Sequence, residues 1–188
     1  MESKRVVITG QGAVSPNGLS VTEFWSNLVK GVSGIGPMTL CDPTEYTCQI
    51  AGEVTEFDPL VAIDPKEARR MARFSQLAVV AGKEALLDSG LNLMGTDSYR
   101  VGVILGNGNG GFPTLEANSR ILSSRGGMKM SPFFFPMVLP NMGTANLSRF
   151  LGAQGYSSTA VTACAASNQA IGEAFNVIRA GVADVMFT

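Results

Sequence analysis

The residue whose side chain is best suited to react is Cys164, which lies in a run of small and polar residues at 161–168. The local pattern predicts that a β-strand ends here and turns sharply into a helix. A thiol at a helix N-terminus lies near free backbone N–H groups and the positive end of the helix dipole, which favour the thiolate. The same N–H groups could hold the oxyanion that forms when a thioester is attacked. Cys164 is therefore a candidate nucleophile, and the alternative is a small buried core thiol.

A glycine-rich loop is the second candidate site. Gly106, Gly108 and Gly111 satisfy G-x-G-x-x-G after a predicted strand, which is the pattern of a dinucleotide site. The acidic residue expected about twenty positions later is missing, because residues 126–130 are Gly-Gly-Met-Lys-Met. Here, and at the Gly-x-Gly of residues 10–12, we expect close backbone contacts rather than a nucleotide cofactor.

The chain contains no histidine, although a cysteine-dependent enzyme usually needs one as a base or an oxyanion donor. Its other two cysteines, Cys41 and Cys48, lie in a loop-like stretch without a second ligand cluster. We therefore expect no metal site there. An odd number of cysteines also argues against a disulfide framework.

The composition is that of a compact globular protein, with 45% hydrophobic and 15% charged residues. A net charge of −1 gives no bulk attraction to nucleic acid or to an anionic membrane. No apolar run reaches the roughly 18 residues that a membrane span needs, and no signal peptide is evident. We expect a cytoplasmic protein with no membrane span and no nucleic-acid partner.

Predicted strands and helices alternate along the chain, which indicates an α/β fold with parallel connections. Buried strands are predicted at 5–9, 100–105, 158–162 and 184–188. Helices are predicted from a capping box of Ser20 and Glu23 to Gly31, from Asp64 to Gly90, from Thr114, over about 141–151 and over about 165–180. No turn signal follows the last strand, so we expect the chain to stop in mid-fold.

Several motifs together resemble those of β-ketoacyl-acyl-carrier-protein synthases, closest to the elongating type II enzymes. They are Thr-Ala-Cys-Ala-Ala-Ser at 162–167 with Ala-Ile-Gly-Glu-Ala at 170–174, and the stretches 5–10, 15–18, 131–136, 141–142 and 181–186. The resemblance covers the whole chain. It implies a thiolase-like layered α/β/α/β/α architecture, of which residues 1–188 supply the N-terminal half as one domain.

The resemblance also implies a reaction. Cys164 accepts an acyl group from a carrier-protein thioester, and the carbanion from a decarboxylated malonyl thioester then attacks it. The Cys164 N–H supplies one oxyanion donor, whereas the second donor and two assisting histidines lie in the second half. This half alone is thus expected to be inactive. No cofactor is expected, since the substrate thioesters carry phosphopantetheine.

Further residues gain roles from the resemblance. Lys66, Arg69 and Arg70 share a helix face that would receive acidic acyl carrier protein, although a charged run is otherwise a solvated face. Asn109 stands where the family often has a bulky aliphatic residue that gates the acyl pocket. Phe134 and Phe135 lie in an apolar stretch that the family places at a two-fold interface near the partner's pocket, so we expect a homodimer.

Three alternatives remain open at this stage. Asn109 would also suit a polyketide ketosynthase, because a polar residue is a departure from the gate for a long saturated chain. A non-catalytic chain-length partner subunit would lack the nucleophile, so Cys164 argues against it. A plain nucleotide-binding domain is the most distant alternative. For the apolar stretch itself, the other interpretation is core packing. Gln169 replaces a frequent family histidine that is not one of the catalytic pair.

Overall fold

A three-stranded parallel sheet lies at the centre of the structure, a computed structural model that describes residues 4–188. The helices are α1 (Val21–Val29), α2 (Pro65–Ala68), α3 (Arg73–Ser89), α4 (Phe112–Arg125), α5 (Phe134–Val138), α6 (Met142–Leu151) and α7 (Ala166–Arg179). The strands are β1 (Gly36–Pro37), β2 (Ile50–Ala51), β3 (Val101–Gly106), β4 (Ser157–Ala160) and β5 (Val185–Phe187). The sheet has the order β4-β3-β5, and β1 and β2 form a separate antiparallel pair.

The central strand β3 is covered on both faces by helices. Val103 packs with α3 and α6 in one apolar cluster, whereas its neighbour Ile104 packs with α7 in another. Alternate residues of a strand point to opposite faces, so one continuous apolar run serves both layers. The predicted α/β class with parallel strands is therefore confirmed.

Arg100 joins the start of β3 to the start of β5. Its guanidinium donates to the carbonyls of Gly181 and Val182 at 2.8 and 3.0 Å, and to both oxygens of Asp184 at 2.8 and 3.0 Å. Hydrogen bonding from Arg100 holds the pKa of Asp184 below its usual value. Because that pKa is lowered by folding, this pair stabilises the fold above the ordinary carboxyl range and loses its effect on acidification through the lowered pKa.

The buried strand predicted at 5–9 is wrong. No described strand runs beside these residues, and Val7 and Ile8 are 63% and 80% exposed. The chain that follows lies on α3 instead, where Gly10 and Gly12 approach the helix so closely that a Cβ on either would clash with its carbonyls. These contacts confirm close backbone approach as the role of the two glycines.

The single helix predicted from Asp64 to Gly90 is also wrong. Asp64 caps the short helix α2 as predicted, but Ala72 is extended, with φ −71° and ψ 158°, and a separate helix α3 begins at Arg73. The Gln76 side chain donates to the carbonyls of Ala68 and Met71, at 2.9 and 3.4 Å, near the end of α2 where the regular helical hydrogen bonds stop. This side-chain contact stabilises a break that contains neither glycine nor proline.

The remaining helices follow the predictions with small shifts. Ser20 caps α1, and Gly31 has the predicted left-handed conformation, with φ 69°. Gly90 ends α3 as predicted and is also left-handed, with φ 64°. The helix predicted from Thr114 begins two residues earlier, at Phe112, since Pro113 suits a first helical turn. Within residues 4–188, no helix has the length and apolar character needed to cross a membrane.

Glu84 on α3 generates a prediction about stability. Its carboxylate accepts the N–H groups of Ala13 and Val21, at 2.9 and 2.8 Å, and so fixes the N-terminal segment and the first residue of α1. We expect Glu84→Ala to lower the free energy of unfolding by about 1–3 kcal/mol, because two partly buried donors lose a charged acceptor. Urea denaturation measures this difference.

Glu116→Ala on α4 is the matched control. Glu116 pairs only with Arg120 on the same exposed helix face, so its loss is expected to cost no more than about 0.5 kcal/mol. Equal destabilisation by the two substitutions would contradict the role of Glu84.

Candidate active site

Cys164 lies in a tight turn that joins β4 to α7, as the sequence predicts. Residues Ala163–Ala165 form one turn of 3₁₀ helix, closed by a 3.0 Å hydrogen bond from the N–H of Ala165 to the carbonyl of Thr162. Ala163 has φ 49°, the only positive φ of a non-glycine residue among residues 4–188. Such a conformation costs on the order of 1 kcal/mol and occurs often at functional turns.

The turn presents Cys164 on the surface of the chain. The cysteine is exposed, so the alternative of a buried core thiol is wrong. Among the described residues, no backbone carbonyl accepts the N–H of Cys164. An exposed thiol beside a free N–H at the start of a helix can attack a carbonyl and stabilise the resulting oxyanion.

The N-terminus of α7 is held against the end of β3. Gly106 touches the backbone of Ala166 and Ser167 so closely that a Cβ on it would clash with both. Ala166, Ala170 and Ala174 form the buried stripe by which α7 packs on the sheet. Cys164 therefore lies at the carboxyl ends of parallel strands, where α/β proteins bind their ligands.

The loop after β3 lies at this same edge and is organised by Asn107. Its N–H donates to the carbonyl of Ala160 at 2.9 Å, and its side-chain amide donates to the carbonyl of Pro140 at 2.9 Å. Its side-chain oxygen accepts the N–H groups of Asn109 and Gly110, at 3.2 and 3.0 Å. Asn109 is exposed in this loop, so the structure brings it to the same sheet edge as Cys164.

Helix α5 continues the site from this loop. Its Val138 accepts the N–H of Gly111 at 3.0 Å. The rings of Phe134 and Phe135 meet edge to face, with centroids 5.1 Å apart, and Phe135 is 67% exposed. Phe135 is therefore not a core residue of this chain.

The predicted basic cluster lies next to α5. Lys66 and Arg69 are exposed, and neither has a carboxylate within 4 Å among residues 4–188. Arg70 differs, because it stacks over the ring of Phe133 at 4.8 Å and pairs with Glu67 at 3.7 Å. Within the same described range, no group of three or more histidine, cysteine or acidic side chains could hold a metal ion.

Residues 3–188 match the family model described as the β-ketoacyl synthase N-terminal domain. The chain belongs to the β-ketoacyl synthase family. It is 46% identical over 187 residues to 3-oxoacyl-[acyl-carrier-protein] synthase 2 of Staphylococcus aureus, and 41% identical over 186 residues to the Synechocystis protein of the same name. These alignments cover 100% and 99% of this chain, and the chain spans 45% of the length of each relative.

Solved ketosynthase structures share the fold. The ishigamide ketosynthase/chain length factor superposes with a TM-score of 0.89 at 28% identity, over 98% of this chain and 46% of that one. A type II polyketide ketosynthase, in a complex with its acyl-carrier protein and bound to the hexaketide, gives 0.80 at 30% identity, over 97% and 49%. The thiolase-like fold implied by the motifs is therefore confirmed.

Three polar groups near the site were not singled out by the sequence. Asn107 organises the loop that carries Asn109, and Gln169 bonds to Thr162 directly before the cysteine turn. Arg149, which lies on α6, pairs with Glu67 at 2.6 Å and so joins the basic cluster. Gln169 was noted only as a replacement, and no sequence spacing links Arg149 to α2.

The turn predicts a difference in reactivity among three exposed thiols. Iodoacetamide should modify Cys164 roughly two- to fivefold faster than Cys41 and Cys48, because a negative charge at a helix N-terminus gains ~0.3–1 kcal/mol. Peptide mass spectrometry of time points gives all three rates in one sample. Since all three are exposed, equal rates would contradict activation of Cys164 by its helix.

Proposed function

We propose that this protein is a β-ketoacyl-acyl-carrier-protein synthase of fatty acid biosynthesis, with Cys164 as its nucleophile. The observation that carries the proposal is the exposed Cys164 at the start of α7, with its N–H unpaired by any backbone carbonyl of residues 4–188. The names of the relatives at 46% and 41% identity support the choice of reaction and of substrate class.

In the proposed first step, the Cys164 thiolate attacks the carbonyl carbon of an acyl-carrier-protein thioester. The carbonyl oxygen gains the negative charge and accepts the N–H of Cys164. The intermediate collapses as the phosphopantetheine thiolate leaves, and the acyl group stays on Cys164. This step needs no cofactor besides the phosphopantetheine of the substrate.

The second step joins two carbons to that acyl group. Malonyl-carrier protein loses carbon dioxide, and the electron pair released at its α-carbon attacks the acyl-Cys164 carbonyl. The Cys164 thiolate leaves, and the product is a β-ketoacyl thioester. The family resemblance assigns the groups that assist decarboxylation to the second half of such enzymes, so we assign only acyl transfer to the 188 residues.

Acyl transfer tests the proposed nucleophile. In the enzyme carrying this chain, we expect acyl-carrier protein to add one acyl mass, and Cys164→Ala to abolish that addition because no other thiol lies at the site. Intact-protein mass spectrometry measures the shift. Cys48→Ala is the matched control and should acylate normally; loss of acylation in both variants, or in neither, would contradict the assignment.

We propose that acyl carrier protein docks on Lys66 and Arg69, with Arg70 beside them. A carrier protein with an acidic surface would find two cations that no carboxylate of the described residues neutralises. The site of Asn109, Phe134 and Phe135 lies beyond this cluster, reached through the contact of Arg70 with Phe133. The ketosynthase complex with its own acyl-carrier protein, among the structural neighbours, supports a partner of this kind.

Charge reversal tests the docking face. Lys66→Glu with Arg69→Glu should weaken binding of acyl-carrier protein by about tenfold, because attraction becomes repulsion. Acylation by a small acyl thioester should remain unchanged. The control pair Lys30→Glu with Arg179→Glu makes the same change in net charge elsewhere, and comparable weakening by both pairs would contradict a local docking site. Surface plasmon resonance at fixed ionic strength measures binding.

Substrate choice and assembly complete the proposal. We assign Asn109 to the acyl pocket and Phe134 and Phe135 to the contact of a homodimer, supported by the exposure of Asn109 and Phe135. We also propose a cytoplasmic location. A polyketide substrate is less favoured, since the type II polyketide ketosynthase among the structural neighbours is 30% identical, whereas the 3-oxoacyl-[acyl-carrier-protein] synthase 2 of Staphylococcus aureus is 46% identical.

A further inference from the structure

Three side chains form a hydrogen-bonded chain along the first turns of α7. The hydroxyl of Thr162 donates to the side-chain oxygen of Gln169 at 2.9 Å, and the amide nitrogen of Gln169 donates to Glu173 at 2.7 Å. Gln169 and Glu173 are four residues apart, so they lie on one helix face. These hydrogen bonds therefore link α7 to Thr162, the residue whose carbonyl closes the Cys164 turn.

The direction of these hydrogen bonds is set by Glu173. An ionised carboxylate only accepts hydrogen bonds, so the amide of Gln169 must present its NH₂ group to Glu173. Its oxygen then faces Thr162, whose hydroxyl must donate. Each group therefore has one role, and the hydrogen bond to Gln169 restrains the Thr162 side chain.

The Cys164 turn needs such a restraint. Thr162 closes the turn through its carbonyl, and the next residue, Ala163, is held at φ 49°. No side chain caps either the 3₁₀ turn or α7. A strained turn persists only where its surroundings hold it in place, and Thr162 is the one residue of this turn with a side-chain anchor among residues 4–188.

We propose that Gln169 is a positioning residue that orients the Cys164 turn through Thr162, with Glu173 fixing the orientation of its amide. The proposal rests on the proposed role of Cys164 as the acyl acceptor. Acylation requires the thiol and the N–H of Cys164 to be aligned on one carbonyl, whereas alkylation by a small reagent requires only an accessible thiol. Loss of positioning should therefore affect acylation more than alkylation.

Gln169→Glu tests this directly, because it replaces the hydrogen bond between residues 169 and 173 with repulsion between two carboxylates. The displaced side chain at 169 then no longer restrains Thr162. In the enzyme carrying this chain, acylation of Cys164 by a small acyl thioester should slow about three- to tenfold, the range that corresponds to one lost hydrogen bond. Iodoacetamide alkylation of Cys164 should change less than about twofold. Mass spectrometry gives both rates.

The exchange Gln169→Glu with Glu173→Gln provides the decisive control. Its carboxylate at 169 can accept from both Thr162 and the new amide at 173, so acylation should recover. Glu173→Gln alone should slow acylation less than Gln169→Glu, because an amide oxygen can still accept from Gln169 but no longer fixes which way the Gln169 amide faces. If the exchange stays as slow as Gln169→Glu, the cause is a negative charge near Cys164, and the positioning role is overturned.

Other outcomes separate this proposal from the proposed function. Normal acylation by Gln169→Glu would overturn the positioning role and leave Cys164 as nucleophile. No acylation of the unsubstituted protein would overturn both. Where circular dichroism shows that Gln169→Glu does not fold, Thr162→Val against Thr162→Ser repeats the test: only serine keeps the hydroxyl, so only valine should slow acylation.

Discussion

The packing of Gly106 against the first residues of α7 is the contact on which the arrangement of the site depends. A side chain at this position would displace the start of α7, and the cysteine turn with it. Farther along the helix, Ala170 and Ala174 are buried against Ile104 and Ala160 of the sheet. The sheet and α7 thus act as one rigid support, and the groups at the sheet edge need only short turns to meet.

Those turns are held by polar side chains rather than by apolar packing. Asn107 satisfies four hydrogen bonds at the end of β3, to groups on its own loop, on β4 and at Pro140. On the other strand, Thr159 is tied to Thr144 of α6 at 2.6 Å. Because backbone at a sheet edge must find partners or water, such residues determine which groups stay available to a substrate. The N–H of Cys164 has no backbone carbonyl partner among residues 4–188.

Local determinants explain what the sequence could predict. The cap of Ser20 and the left-handed Gly31 and Gly90 act within one turn of the chain, so residue type alone indicates them. The break between α2 and α3 depends on Gln76 reaching back across it, and residues 5–9 have a strand pattern but no described strand beside them. The position of Cys164 in a turn before α7 was predictable, because that turn is local. The link from this turn to Gln169 depends on a side-chain rotamer that residue spacing does not specify.

The arginines of the basic cluster differ in whether a carboxylate of the described residues neutralises them. Glu67 lies between Arg70 and Arg149, at 3.7 and 2.6 Å, so these two arginines neutralise an acid that the chain itself supplies. Arg70 is also committed to the ring of Phe133, and it thereby joins α2 to the aromatic segment. An incoming acidic partner would have to compete with these contacts to recruit either arginine. Neither Lys66 nor Arg69 has a carboxylate within 4 Å among residues 4–188, so the proposed docking of an acidic partner depends on these two cations.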